Sequence, residues 1–412
     1  MADLLPFLTS LAWPFAIAVA WIAGEFGQRW TGLPRISFYG LVGFALAGPQ
    51  LGVLPPPDGG AVPMLADVAF GLILFELGYR INVRWLKSNP WIGLSGLVES
   101  LATFAAVYLI ALAFGTPQLT SLMLASLSMA TSPATVVRVI NEQRSSGQVT
   151  ERVLHLTAQN CVLAVFAFNV IVGFWIFRTF EDLGDAIWNS LVLLAASLLT
   201  GAVFGLAVPA LLRGIKNPRQ DATVAFALAV ILLVAISYAG GLSPVVSTLA
   251  FGLVARHRRV AFSQAQRGFG ALGELLTVLL FVFAASTLDW QKVAAGSALA
   301  AVIVLARLVT KTAGVTAFAH LSGISWRKGA LAGVALAPLS VFVILLLEHA
   351  RRAGLHVVEE LQSVAAVTMI LEVFGPIIIQ RALVWARESP EAKPETQPKT
   401  QPETRRESKR AT

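Results

Sequence analysis

The chain has 412 residues, of which 56% are hydrophobic and only 13% charged, and its formal net charge is +8. A soluble domain carries about a quarter charged residues, so a water-soluble globule is excluded and a membrane protein is expected. The basic residues lie in short loops and a terminal tail, with no patch of interleaved aromatics, which excludes a nucleic-acid partner.

Apolar runs of about 20 residues, enough to span a bilayer as a helix, recur almost end to end. The pattern predicts thirteen helices, near 11–28, 36–54, 62–81, 91–115, 119–141, 153–178, 186–213, 221–239, 243–257, 268–287, 293–319, 328–349 and 360–386. No Lys or Arg precedes Arg29, so the start lacks the basic region of a cleaved signal peptide. The single cysteine, Cys161, falls inside an apolar run, so neither a disulfide framework nor a thiolate metal site is expected. No cofactor is expected either. An intramembrane enzyme finds no support, since there is no HExxH motif and no nucleophile–base pair on aligned faces. Residues 388–412 (ESPEAKPETQPKTQPETRRESKRAT) form a low-complexity tail that cannot bury a core and is expected to be disordered.

The distribution of Lys and Arg sets an orientation. Loops after odd-numbered helices, with the C-terminal end, hold 25 of them, and loops after even-numbered helices only 4, namely Arg178, Lys292, Arg351 and Arg352. The N-terminus is therefore expected outside and the C-terminus in the cytoplasm, with the chain multi-pass in a cell inner membrane.

Two segments are interrupted mid-span. Helix 5 reads SLMLASLSMATSPATVVRVI, with Thr131, Ser132 and Pro133 near its middle, and helix 12 reads GALAGVALAPLSVFVILLL, with Pro338 followed by Ser340. Proline removes a backbone donor and clashes with the preceding turn. The freed carbonyls are tolerated at membrane depth only against protein or a wet cavity. A simple kink is the plain reading of either helix alone. The two lie seven positions apart in the order, which pairs helices 4–6 with helices 11–13. Seven is odd, so the paired triplets run in opposite directions, and paired broken helices of this kind point to a transporter site.

These features resemble the monovalent cation/proton antiporter superfamily. Leu33-Pro34, followed by Gly40, Gly43 and the stretch Ala47-Gly48-Pro49-Gln50-Leu51-Gly52, is similar to the superfamily's opening motif. The stretch ADVAFGLILFELGYRINVRWLK (66–87) is similar to its third helix, and helices 5 and 12 look like its two crossed, unwound helices. The resemblance covers about residues 25–386 and implies an all-α membrane fold of about thirteen helices with an inverted repeat. It also implies exchange of a monovalent cation for protons and a homodimer. In that family helix 6 carries a pair whose second member is an aspartate that binds the ion and the proton. Here the matching residues are Gln159 and Asn160, so the carboxylate is missing. The family's helix-3 glutamate is replaced by Arg80, and its core lysine matches Lys311.

An ionisable group near the bilayer centre costs about 2.5–3.5 kcal/mol on insertion scales, which makes each one a functional candidate. Those here are Glu99, Glu274, Arg307, Lys311 and Glu372. At 1.5 Å per residue, Glu99 and Lys311 each lie ~12 Å and Asn160 ~11 Å from the cytoplasmic side, on three helices of the paired triplets. Arg307 and Lys311 share one helix face and need a counter-charge, which Glu99 or Glu372 can supply. Glu76 and Arg80, four apart, read as a local ion pair at a helix end. Glu274 reads as a solvated helix end or an interface residue, and His155 and His320 as interfacial residues without a second metal ligand at ligating spacing.

The expected ion-binding set is thus Asn160, Gln159, Lys311, Glu372, Glu99, Thr131, Ser132 and Ser340, with Arg307, Glu76 and Arg80 as structural charges. Core helices are expected over about 91–178 and 293–386, moving against scaffold helices over about 11–81 and 186–287. The expected function is exchange of Na⁺ or K⁺ for H⁺, with the cations, protons and the lipid bilayer as partners. Two alternatives stay open. One keeps the fold without proton antiport, as an anion carrier or symporter; the other is a non-transporting membrane sensor or scaffold.

Overall fold

The computed structural model describes residues 4–55, 61–176, 183–213, 218–258, 269–339, 342–347 and 362–390. Among the described residues all regular structure is helical. The first helices are α1 (Leu4–Thr31), α2 (Arg35–Leu46), α3 (Ala61–Arg80), the short α4 (Val83–Ser88) and α5 (Pro90–Ala113). Then come α6 (Gln118–Met129), α7 (Pro133–Glu142), α8 (Gln148–Ile171), α9 (Leu183–Arg213), α10 (Pro218–Ala239), α11 (Pro244–His257) and α12 (Gly270–Ser286). The last are α13 (Trp290–Ala317), α14 (Trp326–Val334), α15 (described over 342–347) and α16 (Gln362–Trp385). With α6 and α7 taken as one span, eight segments of the described residues are long and apolar enough to cross a membrane.

Both interruptions are present. The helix stops at Met129, Ala130 and Ser132 are extended, and α7 restarts at Pro133 with the Ser132 hydroxyl accepting the Thr135 amide at 3.4 Å. Proline at the first helical position costs nothing, because that N–H has no partner in any helix. The second broken helix unwinds after Val334 and resumes by 342. Ser340 lies outside the described residues. Each triplet is thus a long helix, a broken helix and a long helix: α5, α6–α7, α8 and α13, α14–α15, α16.

Some expected bounds change. The helix expected over 36–54 ends at Leu46, because Gly48-Pro49 cannot continue it and Gly52 sits at φ +68°. The chain turns back there, and the Leu54 amide bonds Leu46 O at 2.9 Å. The short α4 went unpredicted; its Asn82 side chain caps it by accepting from the Trp85 amide at 3.2 Å.

Packing sorts the helices into two groups. One gathers α13 with α5, α14 and α16, and α6 with α5 and α8. The other gathers α11 with α3, α9 and α10, and α12 with α1, α2 and α3. They meet where α2 lies on α16, α3 on α7 and α9 on α8.

The expected tail does not begin at 388. Glu388 and Ser389 are buried against the start of α8. The Glu388 carboxylate accepts from the Val149 and Thr150 amides and the Thr150 hydroxyl, each at 2.8 Å. It supplies the anionic cap that α8 lacks, since Gly147 has no side chain to offer. Ser389 donates to Gln143 at 3.1 Å, and residues from 391 onward lie outside the described residues. Glu388→Ala is expected to lower stability by about 1–2 kcal/mol. A thermal melt of the purified protein reads this, and an unchanged midpoint would show the contact to be idle.

Candidate functional site

The two breaks pair with each other. The Ser132 amide donates to Pro338 O at 2.8 Å, and the Thr131 hydroxyl donates to Leu336 O at 3.0 Å. This crossing brings together the C-terminal ends of α6 and α14, each a negative dipole pole of about half a charge. Both are met by cations from α13. Lys311 Nζ donates to Met129 O at 3.0 Å, and Arg307 Nη2 donates to Ala130 O at 3.1 Å and Ala337 O at 3.2 Å. Arg307 and Lys311 are four residues apart on one face, and both are fully buried. One arginine thereby holds the ends of both broken helices.

The counter-charge of Lys311 is Glu99. Its Oε2 lies 3.0 Å from Lys311 Nζ, and both side chains are 0% exposed. Glu99 Oε1 has no hydrogen-bond partner among the described residues. The close approach of α5 and α13 depends on Gly314: a Cβ there would lie 2.5 Å from Glu99 Cβ and 2.9 Å from its Cα. Gly333 does the same for α14, where a Cβ would lie 2.9 Å from Lys311 O. Small residues at helix contacts let backbones come near enough for short polar links.

Asn160 stands beside this pair. Its Oδ1 accepts from the Ser100 hydroxyl at 3.0 Å, and its Nδ2 donates to Thr131 Oγ1 at 3.2 Å. A continuous run of bonds thus passes from α5 through Asn160 and Thr131 to Leu336 in the second break. Met129, which holds Lys311, and Thr131, which holds Asn160, are two residues apart. The three residues set at one depth by helix arithmetic, Glu99, Asn160 and Lys311, are neighbours.

Other expected residues go elsewhere. Gln159 turns to the first turn of α5, donating to Gly93 O at 2.8 Å. Glu372 is buried against α2, where a Cβ on Gly40 would lie 2.7 Å from its Cγ; the carboxylate facing Lys311 is Glu99 alone among the described residues. Ser132 is the α7 cap. Glu76 and Arg80 form the expected pair at 2.7 Å, and Asn141 donates to Glu76 as well, at 2.8 Å. Glu274 is half exposed and lies 3.3 Å from Arg35. His320 is exposed beside Trp326. His155 is buried rather than interfacial, because its Nε2 accepts the Asn82 amide at 3.1 Å and its ring packs at a tilt against Trp85, 4.9 Å between centroids. Ser100 escaped the sequence reading, although a hydroxyl directly after Glu99 in an apolar run was the signal for it.

At one end of the bundle a cavity of about 1040 Å³ opens between the two helix groups. Its lining carries Arg35, Arg80, Arg138, Glu142, Arg256 and Glu274, together with Ile140 and Leu154. Asn160 does not line it and is 0% exposed. The charge cluster is therefore closed off from this vestibule.

Comparison with known proteins gives the family and the fold. The family model for the sodium/hydrogen exchanger, transmembrane, matches residues 15–385. The fold is similar to that of the sodium proton antiporter MjNhaP1 from Methanocaldococcus jannaschii at pH 8, with a TM-score of 0.69 and 15% identity. That likeness covers 91% of this chain and 95% of the other. Among curated proteins none matches the chain in sequence.

Proposed function

The chain belongs to the sodium/hydrogen exchanger family, and from that premise we propose that it exchanges a monovalent cation, Na⁺ or K⁺, for protons by alternating access. The observation that carries this reading is the wholly buried Glu99–Lys311 pair at the crossing of the broken helices. A buried pair of this kind has two states of equal charge. In one, Lys311 is protonated and bonded to Glu99. In the other, the cation takes the carboxylate, with Glu99 Oε1 and the Thr131 and Ser100 hydroxyls close by, and Lys311 releases its proton. Both states leave the cluster's charge unchanged, which keeps the desolvation cost low in each. The carboxylate that the family places at the position of Asn160 is thus supplied from α5. Asn160 orients the hydroxyls, and Arg307 holds the helix ends.

In this reading α5–α8 and α13–α16 are the moving core, and α1–α3 and α9–α12 are the scaffold, forming a homodimer. The vestibule faces the cytoplasm, in accord with the basic loops at that end. The test is purified protein in liposomes holding a pH gradient. Addition of Na⁺ or K⁺ is expected to dissipate the gradient. A gradient that persists with Na⁺, K⁺ and Li⁺ alike would sink the exchange reading in favour of a non-exchanging member of the fold.

A further inference from the structure

We propose that a polar clasp on one face of α7 is the gate between the vestibule and the buried charge cluster. Arg138, Asn141 and Glu142 fall at i, i+3 and i+4, a single helix face. Val136, Val137 and Ile140 of the same helix are buried. Each polar residue reaches across to the other helix group. Arg138 Nη2 donates to Gly273 O of α12 at 2.7 Å. Asn141 donates to Glu76 of α3 at 2.8 Å and accepts from Arg80. Glu142 accepts from Gln28 of α1 and from the Arg35 amide of α2 at 3.3 Å. Arg35 is the hub, lying 3.1 Å from Glu25 and 3.3 Å from Glu274.

The position of the clasp makes it a gate rather than passive packing. It borders the vestibule, whose lining includes Ile140 of α7 and Leu154 of α8, and Asn160 lies six residues farther along α8, about 9 Å at 1.5 Å per residue. The other end of α7 is the unwound Thr131-Ser132 segment, where a half-helix can pivot on a few residues. Polar contacts at the rim exchange readily for water as the vestibule widens, whereas apolar contacts gain no such replacement. Rupture of the clasp therefore lets α7 tilt and carries Thr131, the partner of Asn160, with it. The proposal extends the transport reading, but its test requires no transport.

Cys161, the sole cysteine of the 412 residues, adjoins Asn160, is 0% exposed and donates its Sγ–H to Thr131 O at 3.3 Å. The rate at which a small water-soluble thiol reagent modifies Cys161 in the full-length protein thus reads water access to the cluster. Wild type is expected to react slowly. Glu142→Gln, Asn141→Ala and Arg138→Gln are each expected to react faster, and their combination about tenfold faster or more, as loss of bonds to charged groups raises the open population. Only protein that melts cooperatively is compared, and where one variant does not fold the other two carry the test. Gln50→Ala, which removes a 3.1 Å bond to Leu288 O beyond the far end of α12 from Gly273, is the control for general loosening. Wild-type rates in the clasp variants, or equal acceleration in the control, overturn the gate. Faster labelling with no cation-driven proton flux in wild type keeps the gate and sinks the exchange reading.

Discussion

Lys311→Ala is expected to destabilise the protein by about 3–5 kcal/mol and to end cation–proton exchange. The lysine is 0% exposed and answers both a carboxylate and the open end of α6, through Glu99 and Met129 O. Its removal leaves Glu99 buried beside two negative dipole poles, with Arg307 already committed to carbonyls. Breaking one side of a buried pair is far more costly than replacing both sides. The double variant Glu99→Gln with Lys311→Met is therefore expected to regain most of the lost stability while staying inactive. Melting of the purified variants and gradient dissipation in liposomes read the two effects separately. Wild-type stability in Lys311→Ala would mean the pair does not hold the core, and residual exchange in the double variant would remove Glu99 and Lys311 from the transport step.

Asn160→Asp is expected to raise apparent cation affinity by about tenfold or more and to make exchange sensitive to membrane potential. The wild-type cluster balances: Lys311 and Arg307 stand against Glu99 and two helix ends of about half a charge each. A second carboxylate beside Ser100 and Thr131 upsets that balance by one full negative charge, in a setting where charges a few ångströms apart interact by several kcal/mol. The Thr131 hydroxyl would also have to choose between the new carboxylate and Leu336 O. Clamping the potential across the liposome separates the cases. Exchange should be indifferent to the clamp in wild type and respond to it in the variant. If the variant remains indifferent, the charge balance drawn for the cluster is wrong.

Much of this architecture was legible in the sequence, because the membrane makes polarity expensive. Apolar runs marked the spans, Pro133 and Pro338 marked both breaks, and their spacing gave the inverted repeat. The core charges stood out for the same reason, and helix rise alone set Glu99, Asn160 and Lys311 at one depth. What could not be read is which way each side chain turns. Gln159 and Asn160 are adjacent, yet one faces α5 and the other the crossing, since successive helical residues point about 100° apart. Glu372 and Glu99 are both open to Lys311 on sequence alone, and helix contacts separate them, through Gly40 on one side and Gly314 on the other. The tail misled for a different reason: Glu388 belongs to a low-complexity run by composition, and only its distant acceptor site on α8 gives it a place.

That distance has a consequence for how the protein is made. The residues capped by Glu388 precede it by 238 and 239 positions. At about 5–20 residues per second, the start of α8 waits roughly 12–48 s during synthesis before its carboxylate emerges. Throughout that interval the nascent chain presents bare amides and a positive pole at the membrane surface. The cap therefore closes only after every described helix has been made, and a chain halted before residue 388 is left carrying an uncapped α8 for quality-control proteases to find.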